Sequence, residues 1–297
     1  MQASLRRPPD APETTRFAPS PSGRLHLGHA LAAMTAARLA EGSGGRFLLR
    51  IEDIDTTRCR PEFVAGIIED LAWLGLRWEQ PVLQQSTRLA DYRAALAALA
   101  ARGLAYPCFC TRADIAAEIA AMPAAPQGPE GPLYPGTCRN LPAGQRQQRL
   151  AAGEPHAWRL DAGACAAASG GRELWFEETG RGPAGEAGRQ NVAPSACGDI
   201  VLGRRDVGVS YHLAVVLDDH LQGVTLVTRG EDLFAATPVQ RLLQAVLGLE
   251  PPRYHHHRLL RDASGRRLAK RDRDLEIAAL RARGLAPAAV MALAQGD

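Results

Sequence analysis

The sequence predicts an α/β fold: a doubly wound sheet, interrupted by an inserted mixed domain and followed by a short helical C-terminal region. Three observations predict it. Arg46-Phe-Leu-Leu-Arg-Ile51 is a short apolar run of the kind buried on both faces of a parallel sheet. Helical patterns surround it at 30–40, 61–74 and 90–101, with Gly42, Gly75 and Gly103 as natural stops. A second strand-and-helix pair, 224–229 then 237–247, returns after a long middle stretch of Pro- and Gly-rich loop and short strands.

Bulk properties set the bounds. The chain has 297 residues, enough for one large α/β domain with an insertion. A net charge of +3 and a pI near 8.6 permit an RNA partner without arguing for one. No apolar run approaches the ~20 residues of a membrane-spanning helix. Residues 1–15 are polar, carry Pro and both charge signs, and lack the apolar core of a signal peptide, so they read as a flexible tail. A cytoplasmic protein is expected, and its six cysteines suggest metal or free thiols rather than disulfides.

Residues 16–29 organise the rest. Arg16-Phe17-Ala18-Pro19-Ser20-Pro21-Ser22-Gly23-Arg24-Leu25-His26-Leu27-Gly28-His29 runs from a short strand through a tight turn into a helix. The free N–H groups and the dipole of a helix N-terminus favour phosphate. Gly28 lets a flat ring or a phosphate approach the backbone. His26 and His29 can donate hydrogen bonds to phosphate oxygens as charge builds. The alternative is two partly exposed helix-start histidines with no ligand.

Glu52, Asp53 and Asp55 follow the strand at 46–51, at the end that faces the ligand crevice in open α/β sheets. They can bind an ammonium group or a magnesium-bound nucleotide, or stand as a solvated loop. Pro61 opens the next helix and Gly75 follows it. With the helix at 90–101, the first half of the sheet domain closes near residue 103.

The insertion is placed at 104–196. It opens with Cys108-Phe-Cys110, passes a loop rich in Pro, Ala and Gly, and reaches Tyr134-Pro-Gly-Thr-Cys138. Three thiolates and a nearby oxygen can make a four-coordinate metal site, though one C-x-C and a single further cysteine are an incomplete set. Cys59, Cys165 and Cys197 lack partners at metal spacing and read as buried small residues or free thiols. Short alternating runs such as His156-Ala-Trp158-Arg-Leu160 suggest strands over 156–206.

The sheet domain resumes over 197–250. Tyr211 to Asp219 is mostly apolar, and periodicity does not decide between helix and strand. Val224 to Arg229 is a strand ending in an arginine, suited to bidentate capture of a carboxylate or to pairing with Glu231 or Asp232. Thr237-Pro238 starts a helix that Gly248 ends. His255, His256 and His257 are adjacent, so they point different ways in any regular element; a structural or nucleotide-side role suits them better than metal. Over 251–297 come a basic loop, Arg266-Arg267-Leu268-Ala269-Lys270-Arg271, and one or two short helices. Of the 35 Lys and Arg residues, one, Lys270, is lysine.

Residues 16–29 resemble the HIGH motif region of the class I aminoacyl-tRNA synthetases, in the form of the glutamyl branch. Ile51-Glu-Asp-Ile-Asp55, Tyr211 to Leu233 and the loop at 266–271 are similar to that branch in the same order, so the resemblance covers roughly 16–275. It implies a Rossmann-type catalytic domain. It also implies that Arg16 through Ser20, Glu52, Tyr211 and Arg229 bind glutamate, and that His26, Gly28, His29 and Lys270 serve ATP with Mg2+. The segment 108–138 is similar to the zinc module of the glutamyl-queuosine tRNA(Asp) synthetases, implying Cys108, Cys110, Tyr134 and Cys138 as ligands of one zinc ion. The family's KMSKS-type loop usually carries Lys-Leu-Ser-Lys. Arg267 and Ala269 depart from it, while Lys270 matches the second lysine.

The resemblance therefore implies an enzyme that activates L-glutamate as glutamyl-adenylate. Queuosine in the anticodon of tRNA(Asp) is the implied acceptor, with the insertion meeting the RNA and no obligate protein partner. A glutamyl-tRNA synthetase continues into a helical anticodon-binding domain, which residues 275–297 are too few to supply. Without it, the active site is expected to be free to meet an anticodon loop. The alternatives are a short glutamyl-tRNA synthetase charging tRNA(Glu), a non-enzymatic RNA-binding paralogue suggested by Arg267 and Ala269, and an H-x-G-H adenylyltransferase, against which the glutamyl-branch strings stand.

Overall fold

Local chemistry explains the first half of the computed structural model, which describes residues 11–122, 127–128, 131–206, 208–260 and 275–296. Strand β1 (Thr14–Phe17) leads through the Pro-Ser-Gly turn into helix α1 (Leu27–Gly42). Strand β2 (Arg46–Ile51) is buried from Phe47 onward, as its unbroken apolar run requires. Helix α2 (Pro61–Trp73) has Pro61 at its first position, and Gly75 takes a left-handed φ of 80° just past its end. Strand β3 (Glu79–Gln84) and helix α3 (Leu89–Ala101) complete the unit. The three strands form a parallel sheet in the order β1-β2-β3. Thr14 pairs with Arg46 and Glu13 and Thr15 are buried, so the sheet takes in the end of the stretch expected to be a tail.

A separate antiparallel sheet carries the middle of the chain. Strand β4 (Ala105–Cys108) is followed by α4 (Arg112–Ala120), the short strands β5 (Gln127–Gly128) and β6 (Gly131–Pro132), α5 (Ala143–Ala151) and β7 (Ala157–Leu160). Helix α6 (Ala162–Ala168) lies where the sequence reading expected strands. The Asp161 carboxylate accepts from the Ala164 N–H and caps an alanine-rich run, a helix-start signal that outweighs the alternation around it.

Strands β8 (Leu174–Glu178) and β9 (Gly188–Val192) were expected inside the insertion; the pairing places them elsewhere. After β10 (Val201–Gly203), which completes the order β10-β7-β4, come α7 (Tyr211–Leu221), β11 (Leu226–Gly230), α8 (Thr237–Leu247) and β12 (Arg253–His257). The second sheet runs β11-β12-β8-β9, so the 174–192 hairpin extends the main fold and the separate sheet stops at β7 and β10. Short alternating strands do not reveal from sequence which sheet they will join. The ambiguous run at 211–219 is helix α7, amid buried Leu213, Ala214, Val215 and Val216.

The two parallel sets meet at β1 and β11, where the Thr225 N–H donates to the Thr14 carbonyl (2.9 Å) and the Thr14 N–H to Thr225 Oγ1 (2.9 Å). Connections leave this junction in opposite directions, making a crevice beyond the carboxyl ends of β1 and β11. One core packs α1 and β2 against the closing helices α9 (Ile277–Ala282) and α10 (Pro287–Gln295); a second fills the space among α3, α7, α8 and β12. No helix among the described residues is long and apolar enough to cross a membrane.

Candidate active site

The crevice is a cleft of about 560 Å³. It gathers Arg16, Phe17, Ala18, Pro19 and Ser20 from β1 and its turn, His26, Gly28 and His29 from the start of α1, Glu52 from the end of β2, Tyr211 from α7 and Arg229 from β11. These are all the residues expected at the amino-acid and nucleotide site except Lys270, which lies outside the described residues, as do Arg267 and Ala269. Leu260, the last described residue before that stretch, lines the cleft; beyond the stretch the Ile277 N–H donates to the Leu25 carbonyl at 2.9 Å and Glu276 pairs with His26 in an antiparallel backbone bridge.

The start of α1 is built by its histidines. His26 is the N-cap residue, and its Nδ1 accepts from the Gly28 N–H at 3.1 Å; His29 Nδ1 accepts from the His26 N–H at 3.1 Å. This is a capping box made of two imidazoles. With both Nδ1 atoms accepting, each neutral ring carries its proton on Nε2, so each presents an N–H donor. The rings lie 3.9 Å apart between centroids. No acidic side chain sits in the first turn, so the positive end of the 16-residue helix is not offset there.

Gly28 has a sharper role than open backbone. A Cβ there would lie 3.0 Å from His26 Cε1 and 3.2 Å from its Nδ1. Glycine thus makes room for the ring to fold back as a cap. For Gly28→Ala we expect a small stability change, because about 1 kcal/mol of helix propensity offsets about 1 kcal/mol of weakened cap. A displaced imidazole should lower nucleotide-dependent turnover by about 10²-fold. Thermal unfolding and steady-state rates measured side by side check this; equal losses in both would contradict it.

Arg16, Arg50 and Asp219 form a buried cluster under the cleft floor. Arg16 Nε donates to Asp219 Oδ1 at 3.0 Å and Arg50 Nη2 to the same oxygen at 2.5 Å. Arg16 Nη1 also reaches the Thr228 carbonyl at 2.9 Å, and Arg50 Nε reaches Gln222. Although burial pushes the other way, the two guanidiniums hold the Asp219 carboxyl below its ordinary range. Sequence reasoning missed Asp219, although two adjacent acids, Asp218 and Asp219, in an otherwise apolar helix were a usable signal.

Glu52 faces the cleft, with its own N–H donated to the Pro19 carbonyl at 3.0 Å. Burial pushes its carboxyl up to about 7, against the pull of Arg50 and Arg16. Asp53 and Asp55 turn away to structural work. Asp53 accepts from the Ser86 N–H and hydroxyl, and Asp55 from Thr57, Arg58 and Arg204.

Arg229 is buried, and neither Glu231 nor Asp232 holds it. Its Nε donates to His256 Nε2 (3.0 Å), Nη1 to Gln240 Oε1 (2.8 Å) and Nη2 to Thr237 Oγ1 (2.6 Å). Thr237 thus serves the arginine, and Ala236 stands at the N-cap position of α8. The three histidines of β12 alternate in direction, and His256 lies directly across from Arg229 in the parallel pairing.

A second cluster stands at the end of β4. Cys110 Sγ lies 3.4 Å from Cys138 Sγ and 3.3 Å from Tyr134 Oη, and Cys108 Sγ lies 3.5 Å from that Oη. The three cysteine sulfurs lie within 4.8 Å of one another and can hold a metal ion. Tetrahedral thiolates at about 2.3 Å from zinc sit about 3.8 Å apart, so the donor set fits that ion.

The family model described as "tRNA synthetases class I (E and Q), catalytic domain" matches residues 13–295. A glutamyl-Q tRNA(Asp) synthetase of Rhodobacter capsulatus is 51% identical over 284 residues, spanning 94% of this chain and 98% of that protein. Another from Nitratidesulfovibrio vulgaris is 44% identical, spanning 92% of this chain and 82% of that protein. Among solved structures, a glutamate tRNA ligase from Elizabethkingia meningosepticum in complex with its amino acid superposes with a TM-score of 0.71 at 28% identity. That alignment covers 89% of this chain and 53% of the ligase, so the chain spans about half of the ligase's length.

Proposed function

The chain belongs to the class I tRNA synthetases of the E and Q type, and from that membership we propose that it joins L-glutamate to queuosine in the anticodon of tRNA(Asp), using ATP. One observation carries the reading: a single cleft holds a buried arginine, a glutamate side chain and a helix N-terminus capped by two N–H-bearing imidazoles. The names of the relatives supply the acceptor.

In this reading Arg229 receives the side-chain carboxylate of glutamate and Glu52 its ammonium group, with Arg16 and Tyr211 lining the same pocket. The α-carboxylate oxygen of glutamate attacks the α-phosphorus of ATP, and the bond to the bridging oxygen breaks, releasing magnesium pyrophosphate. His26 and His29 donate Nε2–H bonds to the phosphate oxygens as charge gathers there, with the N-terminus of α1 behind them. Lys270 neutralises the departing pyrophosphate. A queuosine hydroxyl then attacks the activated carbonyl and AMP leaves. Positioning and charge stabilisation suffice, with no covalent bond to the protein. Cys108, Cys110, Tyr134 and Cys138 would hold zinc, which when bound fixes the fold of the insertion. In this reading the protein works in the cytoplasm, where it would meet its tRNA substrate.

Labelled glutamate, ATP and Mg2+ test the acceptor. We expect label on tRNA from queuosine-making cells and none on tRNA from cells that cannot make it. Label on tRNA(Glu) from both sources would establish 3′-end charging instead. Absence of glutamate-dependent pyrophosphate exchange in folded, zinc-loaded protein would favour a non-enzymatic paralogue.

A further inference from the structure

We infer that Glu178 and His256 are positioning residues for Arg229: a buried carboxylate–imidazole relay fixes the histidine tautomer so that it can only accept, and thereby orients the guanidinium toward the substrate's side-chain carboxylate. The inference deepens the proposed function and rests on it for the identity of that carboxylate.

The relay follows from donors and acceptors. The Glu178 and His256 side chains are both fully buried. Glu178 Oε1 accepts from the His256 N–H at 2.9 Å and from the Gly180 N–H at 2.8 Å, and Oε2 lies 2.5 Å from His256 Nδ1. Burial raises the Glu178 carboxyl, but the hydrogen bonds from His256 outweigh it and hold it below its ordinary range. An ionised carboxylate accepts only, so Nδ1 carries the ring proton. Burial also lowers the His256 pKa, keeping the ring neutral and Nε2 bare. That lone pair receives the Arg229 Nε–H at 3.0 Å.

The surroundings hold this arrangement in place. The His256 ring stacks on Tyr254, 6° from parallel, and meets the edge of Phe234 at 5.1 Å. A Cβ at Gly180 would come within 2.3 Å of the His256 carbonyl, so the turn after β8 requires glycine to close on β12. Arg229 spends three of its five N–H groups on His256, Gln240 and Thr237, all neutral. One hydrogen on each terminal nitrogen has no acceptor among the described residues, which matches the two oxygens of a carboxylate. A direct carboxylate partner would have consumed the charge that the substrate needs.

Glu178→Gln tests the relay with little change of shape. The amide oxygen must stay on the two backbone N–H groups, so its NH2 faces Nδ1. The ring is then forced to carry its proton on Nε2, donor against donor with Arg229. In pyrophosphate exchange with the full chain, we expect the KM for glutamate to rise about tenfold or more while the KM for ATP holds. In 15N-histidine spectra His256 should be the Nδ1–H tautomer in the wild type and Nε2–H in the variant. An Nε2–H or charged ring in the wild type overturns the relay. So does an unchanged KM for glutamate, or a parallel loss in both KM values and kcat, which a merely structural role would give. If the wild type shows no glutamate-dependent exchange, the functional reading fails, and the tautomer still decides the relay.

Discussion

Asp219→Ala should lower the melting temperature by on the order of 10 °C and raise the KM for glutamate. One carboxylate oxygen accepts from both Arg16 and Arg50, and Arg50 is fully buried. Removing it leaves two guanidinium charges with no acid bonded to them among the described residues, since Glu52 acts on both only through space, a loss of about 3–5 kcal/mol. Since Arg16 lines the cleft, its release also disturbs the amino-acid pocket. Asp219→Asn keeps an acceptor but not the charge, and should fall between. The sign with pH follows from the depressed carboxyl. Its stabilisation is present above the ordinary value of 3.8 and is lost as pH falls through the lower folded-state value. Thermal unfolding of the three proteins from about pH 2 to pH 7 measures this; an unchanged transition in the alanine variant would show the cluster to be dispensable.

Glu52→Gln should raise the KM for glutamate by about 10²-fold, since it removes the charged partner of the substrate's ammonium group in a buried pocket. The wild-type carboxyl, pushed up to about 7 by burial, is half protonated near neutrality. The KM for glutamate should therefore fall as pH rises from 6 to 8, and glutamate binding near pH 6.5 should release a proton. The variant should show a flat profile over that range and no proton release. Titration calorimetry in two buffers of different ionisation enthalpy reads the proton directly. The folded state prefers the protonated form, so wild-type stability declines as pH rises from 4.5 through about 7. Glu52→Gln should thus be the more stable protein at pH 8, although the weaker binder. A pH profile that survives the substitution would assign the titration elsewhere.

These two residues divide what sequence and structure each supplied. Glu52 was legible because it follows an apolar strand, and strand ends in open sheets face the crevice. The motif at 16–29 was legible for a similar reason: strand, turn, capped helix and glycine are local chemistry within fourteen residues. The bounds of α2, α3 and α8 were written in proline and glycine. Other features depend on distant partners, and sequence alone left them open. Whether Tyr211–Leu221 was helix or strand turned on what buried it. The hairpin at 174–192 joined the main sheet because distant β12 lay beside β8, with Tyr254 paired to Glu178.

The sequence by itself determined the alternation of elements, the phosphate-side motif, the carboxylates at a strand end and the cysteine set. Each of these is a short-range pattern whose physical meaning is complete within a turn or a strand. Only the tertiary structure decided which charges pay for which. Sequence placed Arg229 at a strand end, suited to a carboxylate, with Glu231 or Asp232 as the alternative partners; it rests on His256, Gln240 and Thr237, and His256 rests on Glu178. Asp219 joins Arg16 from 203 residues away. Burial sets these pairings, because a buried charge takes whatever partner the packing brings within about 3 Å, and sequence distance places no limit on that choice.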